Sequence, residues 1–409
     1  MSMLLAQSAI QPGLASVYCT IVQQSLEDVE FYIRRFPQFW GKSYAKVRRS
    51  FQGIVVCGYL RPGAEQSLFL NPPDSEVLCE GDLIICLAQT GFFEPDADGR
   101  AILKKLDKAA GSHALRAPPN APEPACAKST PKKVIVAWYD HDMKYLVRSL
   151  GRFAPFGSEV VVICPNDLEG MPEKQAKGTS CHFSSLSGDP TQLSLVMEAG
   201  IAEADSLIIG GIEKEDAKEA DTLLLSMLLV LQDALLRCPK RRHPLHVIGL
   251  IRRAETTQVA NYLLDRLGQG LVTAELLQPD ELVSGMMAQI AADPLLAQLL
   301  TSFIYSSEGQ EIYLRPPSNY QLPDDTECTF QQLSELCRLR QETAIGFIAK
   351  EGGVELSPSM RSTRRFCNSD RIIVLADSGP AFCSLDPSVD LSSSVDIPDV
   401  DRSNSHPSK

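Results

Sequence analysis

The chain has 409 residues, long enough for two or three domains that each bury a core. Its net charge is -12 and its densest basic cluster is Lys240-Arg241-Arg242, which excludes nucleic-acid binding as a main role because phosphate contacts need gathered Lys and Arg. No window of about 18 unbroken apolar residues occurs, and Met1 to Gln11 lack the basic start of a secretory signal.

Met3 to Ile10 carries a helical apolar pattern that resumes after Gln11-Pro12-Gly13. The pair from Ala6 to Ile21 is apolar over more than one face, so it must be covered on several sides. It reads as a swapped or assembly-forming element, with burial in a local core as the alternative. A β-rich lobe follows to residue 93, including the run Leu83-Ile84-Ile85-Cys86-Leu87-Ala88. Residues 94–131 turn to Ala, Pro, Gly and Asp and read as a linker. The 12 cysteines show no C-x-x-C pair; Cys57, Cys86 and Cys164 sit in apolar runs, as free core thiols in a reducing compartment do.

Residues 132–278 alternate strand and helix. Val134 to Trp138 is a β-branched apolar run, and Met143, Leu146, Val147, Leu150 and Phe153 follow at helical spacing. Strands are expected at Val160 to Cys164, near Cys181 to Phe183 and at Ser206 to Ile209, with helices at Pro190 to Ala199 and Ala217 to Leu236. A fifth strand, Leu245 to Ile251, closes the series. Such alternation demands parallel strands with right-handed crossovers, so the fold class is α/β with a Rossmann-like doubly wound sheet.

The carboxyl ends of those strands form the default crevice, lined by Tyr139, Asp140, Asn166, Asp167, Asp189 and Gly210. Oxygens of Asp140, Asp167 and Asp189 could hold a cation such as calcium; the competing reading makes Asp140, Asp142 and Asp189 helix caps or starts. A dinucleotide in the usual pose is disfavoured. The phosphate turn wants G-x-G-x-x-G, and Ala137-Trp138-Tyr139-Asp140-His141-Asp142 stands there. His141, His182 and His246 accompany no nucleophile elbow, so no enzyme is expected. Glu213 to Glu219 reads as a solvated helix start.

Residues 279–380 repeat the opening lobe. Met286 to Ala297 copies the first helix pair, Glu311-Ile312-Tyr313-Leu314-Arg315 matches Glu30-Phe31-Tyr32-Ile33-Arg34, and Cys367 to Ala376 matches Cys79 to Ala88. Stretches in the same order at similar intervals indicate duplication. The chain thus reads as one and a half copies of a larger repeat, its first half-copy lacking a nucleotide fold in front of it, as in a fragment, a truncated product or a chain that has lost that domain. Residues 381–409 read as a disordered tail.

A Rossmann-like domain, a helix-turn-helix crossover and a small β-rich lobe, duplicated, is the layout of paired regulator-of-potassium-conductance (RCK) domains. More narrowly the chain resembles the CASTOR and POLLUX ion channels. The residues that carry this are Ala9-Ile10-Gln11-Pro12-Gly13-Leu14-Ala15, Glu30-Phe31-Tyr32-Ile33, Phe36-Pro37-Gln38, Val56-Cys57-Gly58, Asn71-Pro72, Glu80-Gly81-Asp82, Ala137-Trp138, Pro155 to Glu159, and Glu281-Leu282-Val283-Ser284. The family's Cys-Gly-Trp strand end reads Val136-Ala137-Trp138 here, with Tyr139-Asp140 in place of the basic pair that follows. The resemblance implies a homotetrameric ring on the cytosolic or nucleoplasmic face of a membrane, coupling ligand or calcium binding to a cation pore whose membrane segments lie outside this sequence. A soluble nucleotide-sensing subunit of a cation transporter is the first alternative, and an NAD-dependent oxidoreductase the second.

Overall fold

The structure, a computed structural model, describes residues 1–22, 29–64, 67–89, 130–138, 143–165, 181–210, 216–238, 241, 243–267, 270–305, 309–350 and 353–377. The expected tail, and the expected linker apart from 130–131, fall outside them.

Helices α1 (Ser2–Ile10) and α2 (Leu14–Val22) are separated by Gln11-Pro12-Gly13. Gly13 sits at φ +100°, a conformation glycine reaches without strain. Strands β1 (Val29–Arg35), β2 (Ile54–Leu60), β3 (Leu68–Leu70) and β4 (Leu83–Gln89) form an antiparallel sheet in the order β1-β4-β2-β3, with the short α3 (Tyr44–Arg48) between β1 and β2. Every residue of β2 is buried, which requires cover on both faces. Phe36, Phe39, Tyr44 and Phe51 pack with one face, and α1–α2 share a core with the other.

The middle of the chain builds β5 (Lys133–Trp138), α4 (Lys144–Phe153), β6 (Ser158–Cys164), β7 (Cys181–Ser187), α5 (Leu193–Glu198), β8 (Ser206–Gly210), α6 (Ala217–Arg237), β9 (Leu245–Leu250), α7 (Ala254–Arg266) and β10 (Val272–Leu277). All six strands are parallel, in the order β10-β9-β8-β5-β6-β7. The doubly wound expectation holds, but the strand series does not close at Leu245 to Ile251: β10 pairs with β9 along its whole length. Val272-Thr273-Ala274-Glu275 lacks a continuous apolar run, so an edge strand that buries a glutamate gave little sequence signal.

The second lobe repeats the first. Helices α8 (Pro279–Ala292) and α9 (Leu296–Tyr305) precede β11 (Glu311–Arg315), β12 (Thr326–Thr329), α10 (Phe330–Arg338), β13 (Thr343–Ile348), β14 (Val354–Leu356), β15 (Thr363–Phe366) and β16 (Arg371–Ala376). The sheet order β11-β16-β13-β14 mirrors β1-β4-β2-β3, and β12 and β15 form a separate ladder. The correspondence reaches single residues. Gly58 and Gly346 stand at matching bulges, and a Cβ at either would drive into the carbonyl of Phe69 or Glu355. Asn71 and Ser357 follow β3 and β14 at φ +49° and +46°. Buried Asp82 and Asp370 accept from the Cys79 and Cys367 amides at 2.7 and 2.9 Å.

The first helix pair does not serve its own lobe alone. Helix α1 packs on α4, β8 and β9 of the parallel sheet, and Leu4 to Ile10 are all buried. Ser206 Oγ and Lys132 Nζ donate to the Ala9 and Ile10 carbonyls at the end of α1, at 2.5 and 2.7 Å. The all-round apolar pattern is explained by this second surface.

Candidate functional site

Strand order reverses between β5 and β8, and a doubly wound sheet binds its ligands at the carboxyl ends flanking that point. Trp138 ends β5 there, paired with Gly210 at the end of β8. Its indole is 4% exposed and lies so close that a Cβ on Gly210 would stand 2.9 Å from Trp138 Cζ3. An aromatic ring thus fills the space beside Gly210 at the switch point and is buried in the core there. Asp189 Oδ1 accepts from the Thr191 amide at 2.9 Å and hydroxyl at 2.8 Å, the turn-forming role expected of an aspartate before a helix. Tyr139, Asp140, Asn166 and Asp167 lie outside the described residues, as do His141 and Asp142. Among the described residues no group of three or more His, Cys, Asp or Glu could hold a metal ion.

A second site forms where the two β-lobes meet. Arg48, on α3, is nearly buried and bridges Asp74 and Glu335: Nη2 to Asp74 at 2.8 Å and Nη1 to Glu335 at 2.7 Å. Arg49 adds Nη2 to the other Glu335 oxygen at 2.7 Å. Burial pushes the Glu335 carboxyl up, but hydrogen bonds from Arg49 and Arg48 outweigh it and hold the pKa at about 2. Arg338 donates to Asn71 Oδ1 and to the Pro72 carbonyl at 2.8 Å. Asn71 Nδ2 donates in turn to Gln310 Oε1 at 3.0 Å, and Thr343 Oγ1 to Asn71 Oδ1 at 2.6 Å. The positive φ of Asn71 aims this amide across the seam.

Above the seam opens a cleft of about 750 Å³, lined by Arg61, Asn71, Gln310, Arg338, Arg340 and Glu342 among others. Each guanidinium already faces a carboxylate: Arg61 meets Asp82 at 2.9 Å, Arg338 meets Asp74 at 3.1 Å, and Arg340 meets Glu342 at 4.0 Å. Such a charge-balanced wall suits a small polar molecule carrying hydrogen-bond donors and acceptors rather than a bare ion. Sequence reasoning missed it because its halves stand some 270 residues apart; Asn71-Pro72, already a marked stretch, was the available signal.

The polar residues that join the first helix pair to the sheet are equally specific. Glu275 on β10 accepts from the Gly13 amide at Oε2, 3.1 Å, and from the Ser16 amide at Oε1, 3.0 Å, and His246 Nε2 stands 3.2 Å from the same Oε2. Glu311 accepts from Gln7, Arg152 and Tyr313, at 3.2, 3.0 and 2.7 Å, tying α1, α4 and β11 together. Burial raises the Glu311 pKa, with these donors opposing it.

Residues 1–94 match the Castor_Poll_mid family, described as Castor and Pollux, part of voltage-gated ion channel. The probable ion channel CASTOR of Oryza sativa subsp. japonica is 26% identical, covering 91% of this chain and 43% of the rice protein. The probable ion channel POLLUX of the same plant is 25% identical over 92% of this chain and 40% of its own length. The chain therefore spans less than half the length of these curated relatives. Among solved structures, the human SLO3 gating ring matches with a TM-score of 0.58 at 13% identity, over 91% of this chain and 74% of that one. This is a likeness of fold. Along about nine-tenths of its length the chain is similar in sequence to the CASTOR and POLLUX ion channels, and its fold is like that of a gating ring.

Proposed function

We propose that this chain is the regulatory part of a CASTOR/POLLUX-type cation channel, acting on the cytosolic or nucleoplasmic face of a membrane, with the conducting segments supplied by sequence outside these residues. The observation that carries the reading is the doubled lobe. Two copies of one β-unit meet face to face across Arg48, Glu335, Asn71 and Arg338, and the first copy's helices cap the second copy's parallel sheet. A change at the seam must therefore move one lobe against the other, and only a ligand with unequal affinity for two lobe arrangements can bias a gate. In this reading residues 1–93 form the lobe of a first RCK unit, 94–131 a linker, 132–278 the nucleotide-fold part and 279–380 the lobe of a second, with 381–409 a tail. Four such chains assemble into a ring, and the protein has no catalytic role of its own.

Among the described residues no helix is long and apolar enough to cross a membrane, so the purified chain can be tested in solution. Its mass by sedimentation should be that of an oligomer at micromolar concentration, and its unfolding midpoint should rise with a ligand that binds the folded state. Calcium, ATP and NAD are the three arms. A rise abolished by Arg340→Gln supports a ligand in the seam cleft. A rise with calcium that Arg340→Gln leaves intact directs attention to Asp140, Asp167 and Asp189. A strict monomer, or catalytic reduction of NAD by the purified chain, would sink the regulatory reading.

A further inference from the structure

From Phe31 to Ala64 the chain carries seven Lys and Arg and no Asp or Glu, although its net charge is -12. The fold spends four of the seven. Arg34 pairs with Asp293 at 2.9 Å, Arg48 and Arg49 with Glu335 at 2.7 Å each, and Arg61 with Asp82 at 2.9 Å. Arg35, Lys42 and Lys46 are exposed and have no ion pair among the described residues. They stand around one aromatic. The Arg35 guanidinium lies over the Trp40 ring at 4.8 Å, and Lys42 follows two residues on, in a segment that pairs with Leu78 beside Val77, itself 50% exposed. Lys46 projects from α3 just beyond. Glu80 shares a pocket of about 320 Å³ with Arg35 and Arg61 and offsets one charge at most.

The complement is written in the same chain. Asp386 to Asp401 holds five aspartates and no Lys or Arg, with apolar residues set among the acids at Val389-Asp390-Leu391, Val395-Asp396-Ile397 and Asp399-Val400-Asp401. Its point of departure is close. Asp377, the last described residue, lines the seam cleft together with Arg61, and Arg61 also lines the pocket that holds Arg35. From Asp377 to Asp386 an extended chain covers about 30 Å.

We propose that residues 386–401 dock as an acidic strap on the Arg35, Trp40, Lys42 and Lys46 face of their own chain. The aspartates meet the three cations that the fold leaves unpaired, and the apolar residues between them cover Trp40 and Val77. The strap bears on the seam. Residues 41–45 hydrogen-bond along 74–78, and Asp74 there holds both Arg48 and Arg338. This inference goes beyond the channel reading and stands without it.

Carbodiimide cross-linking of the 409-residue chain tests it, since the reagent joins an amine to a carboxylate only where the two touch. Unlabelled and 15N-labelled chains are mixed, and the linked peptides are read by mass spectrometry. Lys42 or Lys46 should join Asp390, Asp396, Asp399 or Asp401 within one chain, roughly tenfold above the exposed Lys144 and Lys218. In about 0.5 M salt the yield should fall severalfold. Equal yields from all four lysines, links from Lys42 and Lys46 to Glu76 or Glu80 alone, or links that pair a labelled with an unlabelled chain overturn the proposal. A second measurement uses the combined variant Asp390→Asn, Asp396→Asn, Asp399→Asn and Asp401→Asn. Acetylation of Lys42 and Lys46 should run about threefold faster in it than in the unaltered chain, with Lys144 and Lys218 unchanged; equal rates overturn the strap. Binding of phosphatidylserine vesicles by the unaltered chain, lost in Lys42→Gln with Lys46→Gln, would give the face to a membrane and overturn it likewise.

Discussion

Glu275 accepts two hydrogen bonds from Ser16, from its amide at 3.0 Å and its hydroxyl at 3.2 Å, across 259 residues of chain. With the Gly13 amide at 3.1 Å, this makes an edge-strand carboxylate of the parallel sheet the cap of a helix that belongs to the first lobe, where the exposed amides and the helix dipole favour negative charge. The cap is the polar half of the contact that α1 completes by apolar burial. Glu275→Ala removes it and leaves His246 without a carboxylate. A loss of about 2 kcal/mol is expected, the upper end for a helix cap, in urea unfolding. Hydrogen exchange should quicken at Gly13 to Val17 and leave β13 and β16 unchanged; uniform quickening would mean that Glu275 supports the whole fold rather than the helix junction.

The seam carries a pH dependence of definite sign. The Glu335 carboxyl falls from 4.5 to about 2 on folding because its two arginines outweigh burial, and Asp74 is also lowered, burial again opposed by Arg48. A depressed acid stabilises the folded state above the unfolded pKa, and that contribution is lost as pH falls from about 4.5 toward 2. With allowance for solvent screening, Glu335 contributes roughly 2 kcal/mol. Glu335→Gln should lower stability at pH 7 by that order and flatten the acid limb of the stability curve below pH 4.5. Parallel acid limbs in the two proteins would dismiss the seam as the source.

How far the sequence reached depends on whether the determining contacts are local. The runs Val134 to Trp138 and Val160 to Cys164 and the long α6 are strongly periodic or continuously apolar, and they form where expected. The duplication was legible in Cys79 to Ala88 and Cys367 to Ala376, where Asp82 and Asp370 do the same job in each lobe; the match of Gly58 with Gly346 emerges only in the fold. What α1 covers was not legible: all-round apolarity states that a helix needs several neighbours, not which ones. Nor was the cleft, since Arg61 and Arg340 meet only through the fold. Of the crevice candidates, Asp189 and Gly210 acquire definite roles, a turn cap and a seat for an indole.

Trp138 offers a direct reading of the crevice. The chain has two tryptophans, and the other, Trp40, donates from Nε1 to the Asp82 carbonyl in the first lobe. In Trp40→Phe the remaining emission reports the switch point alone, and a buried indole should emit blue of a solvated one. Addition of NAD should leave that emission unchanged, since Ala137 to Asp142 lacks the G-x-G-x-x-G turn that dinucleotide binding uses. A saturable quench or shift with NAD would require the indole to move aside, and would restore dinucleotide binding as a property of this sheet.

Gly58 and Gly346 test whether the two lobes are one cooperative unit. Neither glycine has a positive φ; each is required because a Cβ would enter the carbonyl oxygen of the adjoining strand, backbone that cannot rotate away as a side chain could. Gly58→Ala and Gly346→Ala should therefore each cost about 3 kcal/mol, the top of the range for overpacking. The seam of Arg48, Glu335, Asn71 and Arg338 predicts that either substitution lowers one common unfolding transition, because a lobe that opens strips the buried guanidinium of Arg48 of a carboxylate. Calorimetry on both variants decides it. Two separated transitions, with only the substituted lobe shifted, would show that the lobes unfold independently and that the seam transmits little between them.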